Sequence, residues 1–219
     1  MQILKSSKTR EKILAKIRGA VAVAPLRMPF PEAEREQTKL IFKESEFSDE
    51  ESFASAFIKL GGKFVYCYNE TDLAENLFAL YENNNWKEML CADAAILELL
   101  NKHELPRIAA MDKGSKEAEV CITACEAVVG RTGSIIFSSR QFMGRTAPVY
   151  YPIHIIIAYS NQAVADIDAG IALMKQKYGA DLPSMINFTT GPSRTADIEK
   201  TLVVGVHGPA ELYCFYVDA

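Results

Sequence analysis

Basic charge, long apolar runs and paired cysteines are all in short supply in this chain. Lysine and arginine number 24 against 28 aspartates and glutamates, for a net charge of -4. That balance offers no basic footprint for a phosphate backbone and argues against nucleic-acid binding. No apolar stretch approaches the ~20 residues that span a bilayer. The opening MQILKSSKTREK also lacks the run of about seven apolar residues found in a signal peptide. The expectation is a cytoplasmic protein without a membrane span. Cys67, Cys91, Cys121, Cys125 and Cys214 are odd in number and scattered in apolar runs, as reduced core thiols are. Only Cys121 and Cys125 are close, and two thiols fall short of the four ligands of an iron–sulfur cluster or structural zinc. The chain has no GxGxxG or P-loop motif and no internal repeat, so it is expected to bind no cofactor of its own.

What is present suits one generous domain with an extension. Of 219 residues, 49% are hydrophobic and 24% charged, enough to bury a sizeable core. Residues 1–47 read as an N-terminal helix and a proline-containing arm. Ser7 can cap a helix carrying Ile13, Leu14, Ile17 and Val21 at helical spacing. Its basic face, Lys8, Arg10, Lys12 and Lys16, is either a solvated surface or a dock for an acidic partner. Pro25, Pro29 and Pro31 then rule out a continuous helix. An arm of this kind lying across a second copy makes a homodimer one expectation.

Residues 48–219 read as an α/β domain. Ser48-Asp49-Glu50-Glu51 is a capping box opening a helix that buries Phe53, Ala56, Phe57 and Leu60 and stops at Gly61-Gly62. A strand follows from Lys63 to Tyr68, then a helix from Thr71 burying Leu73, Leu77, Leu80 and Tyr81. The rhythm continues with a strand at 89–91, a helix capped by Asp93, and a strand at 107–110. Short apolar runs at 120–122, 127–129 and 134–137 are consistent with further strands. PIHIIIAY, residues 152–159, is apolar on both faces, as a central parallel strand covered by helices on each side would be. A helix capped by Ser160 or Asn161 is expected next, ending at Gly179, and strands at 185–188, 202–204 and 212–217 complete the set. Alternation of this kind predicts an open, mostly parallel sheet flanked by helices, with ligands at strand carboxyl ends.

Chemistry concentrates in Thr189 to Pro209. After the turn Gly191-Pro192, Ser193, Arg194 and Thr195 bring hydroxyls and a guanidinium together, with Asp197 and Glu199 just beyond. Ser193 or Thr195 capping a short helix from Ala196 would create an anion site at its free N–H groups. The competing reading is a simple cap, with Arg194 paired to Asp197 or Glu199. His207, held between Gly205 and Gly208, is either a proton donor or a turn-fixing residue. His154, opening the central strand, reads as a core histidine, and no spacing supports a metal site built from it, His207 and a carboxylate. A second cluster, Gly130-Arg131-Thr132-Gly133-Ser134 with Ser138-Ser139-Arg140 and Gly144-Arg145, is either a loop facing an anion or ordinary turn chemistry.

TGPSRTADIE at Thr190 to Glu199 followed by GVHGP at Gly205 to Pro209 resembles the hallmark of the LUD-domain family, also called the lactate utilization protein C or YkgG family. Weaker likeness runs through SKTREKILAKIR, Phe53 to Val65, GRTGSIIF and PIHIIIAY. The resemblance implies a NagB/RpiA/CoA-transferase-like fold. It implies an accessory subunit of a bacterial system oxidising L-lactate to pyruvate beside separate iron–sulfur proteins, with the clusters on those partners. A small carboxylate or phosphate-bearing ligand would then be held by Thr190, Gly191, Ser193, Arg194 and Thr195, with Arg131, Thr132, Gly133 and Arg145 facing it. Asp197, Glu199 and His207 would orient groups or move protons. Where the family usually has Ala-Glu-Thr-Gly, this chain has Gly130-Arg131-Thr132-Gly133, a cation in place of a carboxylate. Two other classes stay open: an isomerase or acyl/CoA transferase using Asp197 or Glu199 as base, and a non-catalytic scaffold.

Overall fold

The computed structural model describes residues 7–23, 46–112, 118–196 and 202–218. The chain divides into two units, Met1–Glu44 and Ser45–Ala219. The described part of the first is one helix, α1 (Ser7–Val23), on which Ile13 and Ile17 are exposed. The proline-containing stretch 24–45, with the homodimer expectation attached to it, lies outside the described residues.

The second unit begins with α2 (Asp49–Lys59), whose capping box forms as the sequence requires: Ser48 Oγ accepts from the Glu51 N–H and Glu51 Oε2 from the Ser48 N–H. Such a cap contributes about 1 kcal/mol. There follow β1 (Lys63–Cys67), α3 (Glu70–Asn84), β2 (Met89–Cys91), α4 (Ala94–Lys102), β3 (Ile108–Ala110), β4 (Val120–Ala124), β5 (Ala127–Val129) and β6 (Ser134–Ser138). Then come α5 (Ala147–Tyr150), β7 (Ile153–Tyr159), β8 (Ala163–Val164), α6 (Ile167–Tyr178), β9 (Ile186–Thr189), β10 (Arg194–Ala196), β11 (Leu202–Val204) and β12 (Glu211–Val217).

Six strands form one sheet in the order β1-β12-β7-β4-β2-β3, every neighbouring pair parallel. β7 is central, as its doubly apolar pattern predicts, and Ile155, Ile156 and Ile157 are fully buried. Successive side chains on a strand face opposite ways, so β7 and β12 feed two cores. Ile155, Ile157, Phe215 and Val217 pack against Leu73 and Leu77 of α3 and Ile96 and Leu100 of α4. Ile156, Ala158, Leu212, Cys214 and Tyr216 pack against Phe53 and Phe57 of α2 and Val128, Ile135 and Phe137. Each such buried side chain contributes on the order of 2 kcal/mol.

Three local expectations are corrected. The second face of the main sheet is covered by α2 and a second, four-stranded sheet of order β8-β5-β6-β9, rather than by helices alone. After β7, residues 160–162 make a single 3-10 turn and Val164 pairs as strand β8. The helix starts only at Ile167, where Asp166 Oδ1 accepts from the Ala169 N–H. Arg194 to Ala196 form a strand paired with Leu202 to Val204, so the helix start expected at Ala196 gives way to an antiparallel hairpin. The run Leu202-Val203-Val204 offers extended, β-branched pairing that outcompetes a one-turn helix. All five cysteines are free and buried, as the apolar runs predict. Burial holds their thiols protonated, raising Cys67 to about 11 and Cys91 and Cys125 to about 12.

Candidate functional site

Gly191 and Arg194 meet the end of α2. Gly191, at φ +78, lies against Leu60, where a Cβ would come within 3.0 Å of the Leu60 side chain and 3.1 Å of its carbonyl oxygen. Glycine alone combines that φ with that approach. Leu60 closes α2, and Arg194 Nη2 donates to its carbonyl oxygen. A guanidinium thus satisfies one of the carbonyls a helix end leaves open and complements the negative end of the helix dipole. The Ser193 N–H donates to Pro209 at 2.9 Å and the Gly205 N–H to Ser193 at 3.0 Å, which closes the base of the hairpin. His207 is exposed in that second turn, beside Gly208, which packs on Ser193.

The other loop cluster meets the same helix. Gly133 has φ +61, and a Cβ there would lie 2.6 Å from the Phe57 nitrogen and 2.7 Å from the Ala56 carbonyl carbon. Thr132, Ser134 and Thr190 form a hydroxyl chain, each link 2.8 Å. The structure therefore gathers Thr132, Gly133, Thr190, Gly191, Ser193 and Arg194 about the second half of α2. Arg131 is exposed at the edge of this group, its backbone N–H donating to Ala165 at 2.9 Å. Arg145 is placed elsewhere: its Nη2 donates to Ser184 Oγ at 2.6 Å, at the start of β9, while Thr190 follows the end of that strand. Thr195 pairs with Val203 in the hairpin. Asp197 and Glu199 lie outside the described residues.

Two buried polar groups have partners that the sequence does not announce. Glu126, with its side chain 1% exposed, accepts from Ser138 Oγ at 2.5 Å, Lys177 Nζ at 2.7 Å and the Tyr178 hydroxyl at 2.7 Å. Burial alone would raise its carboxyl. The bonds from Lys177, Ser138 and Tyr178 outweigh that and hold it below the usual range. A lone carboxylate between Cys125 and the apolar run Ala127 to Val129 was the signal available in the sequence. The second group is His154, fully buried as a core histidine should be, with Nε2 2.8 Å from Thr123 Oγ1. Its Nδ1 has no hydrogen-bond partner among the described residues. Burial pushes the imidazole down to about 3, so it is neutral. Among the described residues no cluster of histidine, cysteine and carboxylate could hold a metal ion.

A search of solved structures finds the same fold in a DUF162 family protein from Deinococcus radiodurans. Its TM-score is 0.57 at 18% identity, over 78% of this chain and 99% of that one. Lactate utilization protein C from Bacillus licheniformis is 35% identical over 106 residues, 48% of this chain and 44% of the relative. Its namesake from Geobacillus thermodenitrificans is 38% identical over 97 residues, 43% of this chain and 40% of the relative. The match thus spans less than half the length of these relatives. The LUD domain family model, by contrast, matches residues 8–217 and so takes in both loops gathered on α2. With nearly the whole chain covered, the protein belongs to the LUD domain family.

Proposed function

We propose that the protein is an accessory subunit of a bacterial system that oxidises L-lactate to pyruvate. In this reading it binds a small carboxylate or phosphate-bearing ligand at the Thr190–Glu199 loop and works beside iron–sulfur proteins that carry the clusters. Relatives named lactate utilization protein C support the setting. The observation that carries the ligand part is that two sequence-distant loops, 130–134 and 190–194, both pack on α2 and are joined by the Ser134–Thr190 hydrogen bond. Arg131, Arg194 and His207 are exposed. A guanidinium has five N–H donors, and the Leu60 carbonyl occupies one nitrogen of Arg194. The remaining donors suit a carboxylate or phosphate.

The test is a thermal-shift panel of L-lactate, pyruvate, phosphate and coenzyme A on the wild type and Arg194→Ala. A ligand at a hundred times its Kd stabilises by about 2.7 kcal/mol, a readily measured rise. The variant loses one exposed hydrogen bond to Leu60, about 1 kcal/mol, and should also lose the ligand-dependent rise and lactate-supported growth. A flat panel together with intact growth on lactate in the Arg194→Ala strain would end this reading.

A further inference from the structure

A cleft opens at the carboxyl ends of β2 and β4, whereas Arg194 and Ser193 lie at the amino ends of β1 and β12. Its walls include Asp93, Thr123, Phe137, Gln141, Phe142 and Pro148. The enclosed part measures about 20 Å³ and the whole, mouth included, about 270 Å³. The enclosed part has room for one water-sized group, and the larger figure counts the open solvent at the mouth. Thr123 is 6% exposed and belongs to the floor, while Phe142 is 47% exposed and belongs to the rim.

The polar groups of the cleft can be taken one at a time. Gln141 is spent on the protein: its Oε1 accepts from the Ser138 N–H and its Nε2 donates to the Ala124 carbonyl. One oxygen of Asp93, Oδ1, accepts from the N–H groups of Ala95 and Ile96, leaving acceptor capacity on Oδ2. Thr123 depends on the tautomer of His154. If the hydroxyl donated to Nε2, the proton would sit on Nδ1 and leave a buried N–H without a partner, the rarer and costlier defect. With the proton on Nε2, the imidazole donates to Thr123 Oγ1 and only a lone pair is left unpaired at Nδ1. The Thr123 O–H is then free to donate into the cleft.

We propose that this cleft is a second binding site, for a short-chain, uncharged hydroxy-carbonyl compound. The carbonyl oxygen accepts from Thr123 Oγ1–H in the enclosed end, the hydroxyl donates to Asp93, and the carbon skeleton lies against Phe137, Phe142 and Pro148. His154 acts as a positioning residue through Thr123. An anionic ligand is disfavoured by the Asp93 carboxylate, which separates this site in ligand class from the anion site at the Thr190 loop.

The probe is hydroxyacetone, titrated into the full chain and followed by backbone amide shifts in 1H–15N spectra, with L-lactate as comparator. Saturable shifts at Ala92, Asp93, Thr123 and Ala124 are expected, with weaker binding of L-lactate there. Thr123→Val, which keeps the shape and removes the O–H, should weaken hydroxyacetone about tenfold, and Thr123→Ser should retain it. Asp93→Asn keeps a good helix cap and should narrow the preference for hydroxyacetone over L-lactate, which keeps the test decisive if Thr123→Val does not fold. Hydroxyacetone binding should be unchanged in Arg194→Ala, so the two sites fail separately. Absence of saturable shifts, full affinity in Thr123→Val, or an Asp93→Asn variant with unaltered preference would overturn the proposal.

Discussion

Mild acid reaches one group in the middle of the main sheet. His154 holds off its proton until about pH 3 because it is fully buried, whereas in the unfolded chain it titrates near 6.5. Between those values the unfolded state binds more protons, so stability falls as pH drops, at about 1.4 kcal/mol per pH unit. From pH 7 to pH 5 the loss attributable to this residue is about 2 kcal/mol, a large share of a typical folding free energy of ~5–15 kcal/mol. The comparison is with His154→Gln, whose amide reaches toward Thr123 without titrating. Urea unfolding midpoints at pH 7, 6 and 5 should fall more steeply for the wild type, by about 2 kcal/mol in total once multiplied by the common slope. Glu126 does not confuse the interval, because its lowered carboxyl gives up stability only below the ordinary 4.5. Parallel pH profiles for the two proteins would show that His154 is not held neutral by burial, and the tautomer argument for Thr123 would fall with it.

Lys177→Met removes one of three donors to the buried Glu126 carboxylate. With the ammonium half-exposed, the loss at pH 7 should be about 1 kcal/mol. Glu126 is lowered and Lys177 raised, so the gap to wild type should be full between pH 4.5 and 10.5. It should close below that window as Glu126 protonates and above it as Lys177 deprotonates; a gap that persists at pH 2.5 in denaturant titrations would contradict the ion-pair account. Gly133→Ala combines a left-handed φ of +61 with backbone atoms of α2 at 2.6 and 2.7 Å, and should cost about 3 kcal/mol in thermal melts. A loss under about 1 kcal/mol would mean the loop can lift off α2 freely.

Elements that carry their own local instructions were legible before any coordinates. The Ser48 capping box, the Asp93 cap, the doubly apolar PIHIIIAY run and the buried thiols all follow from spacing and composition, and each is present. What could not be read is pairing at a distance. Nothing in residues 127–138 says that these strands leave the main sheet to form a second one with β8 and β9, because one apolar face looks the same whichever partner covers it. The antiparallel pairing of 194–196 with 202–204 is hidden by a hydroxyl and arginine pattern that also suits a helix start. For the candidate site, Thr132, Gly133, Thr190, Gly191, Ser193 and Arg194 stand out in the sequence as two glycine, hydroxyl and arginine clusters, and both clusters pack on α2. Their common contact, the end of α2, lies more than 130 residues from Arg194 in the chain and leaves no trace in local sequence. His154 was read as core, but its link to Thr123, 31 residues away, was not visible.

The expectation that the Thr190 loop follows a strand carboxyl end holds only for β9, which belongs to the mixed second sheet. Relative to the main sheet the loop is at the amino end. Arg194 meets Leu60 just before β1, and Ser193 meets Pro209 just before β12. The tendency of open parallel sheets to place ligands beyond their carboxyl ends therefore lends the Thr190 loop no support. It supports the Thr123 cleft, which lies beyond β2 and β4. An anion site at the Thr190 loop has to stand on its own donors, Arg194 above all, and on the exposed hairpin that carries His207. That hairpin region also exposes Val203, Val204 and Val206. The two ends of the main sheet's strands thus call for different probes: a small neutral molecule at Thr123, and an anion at Arg194.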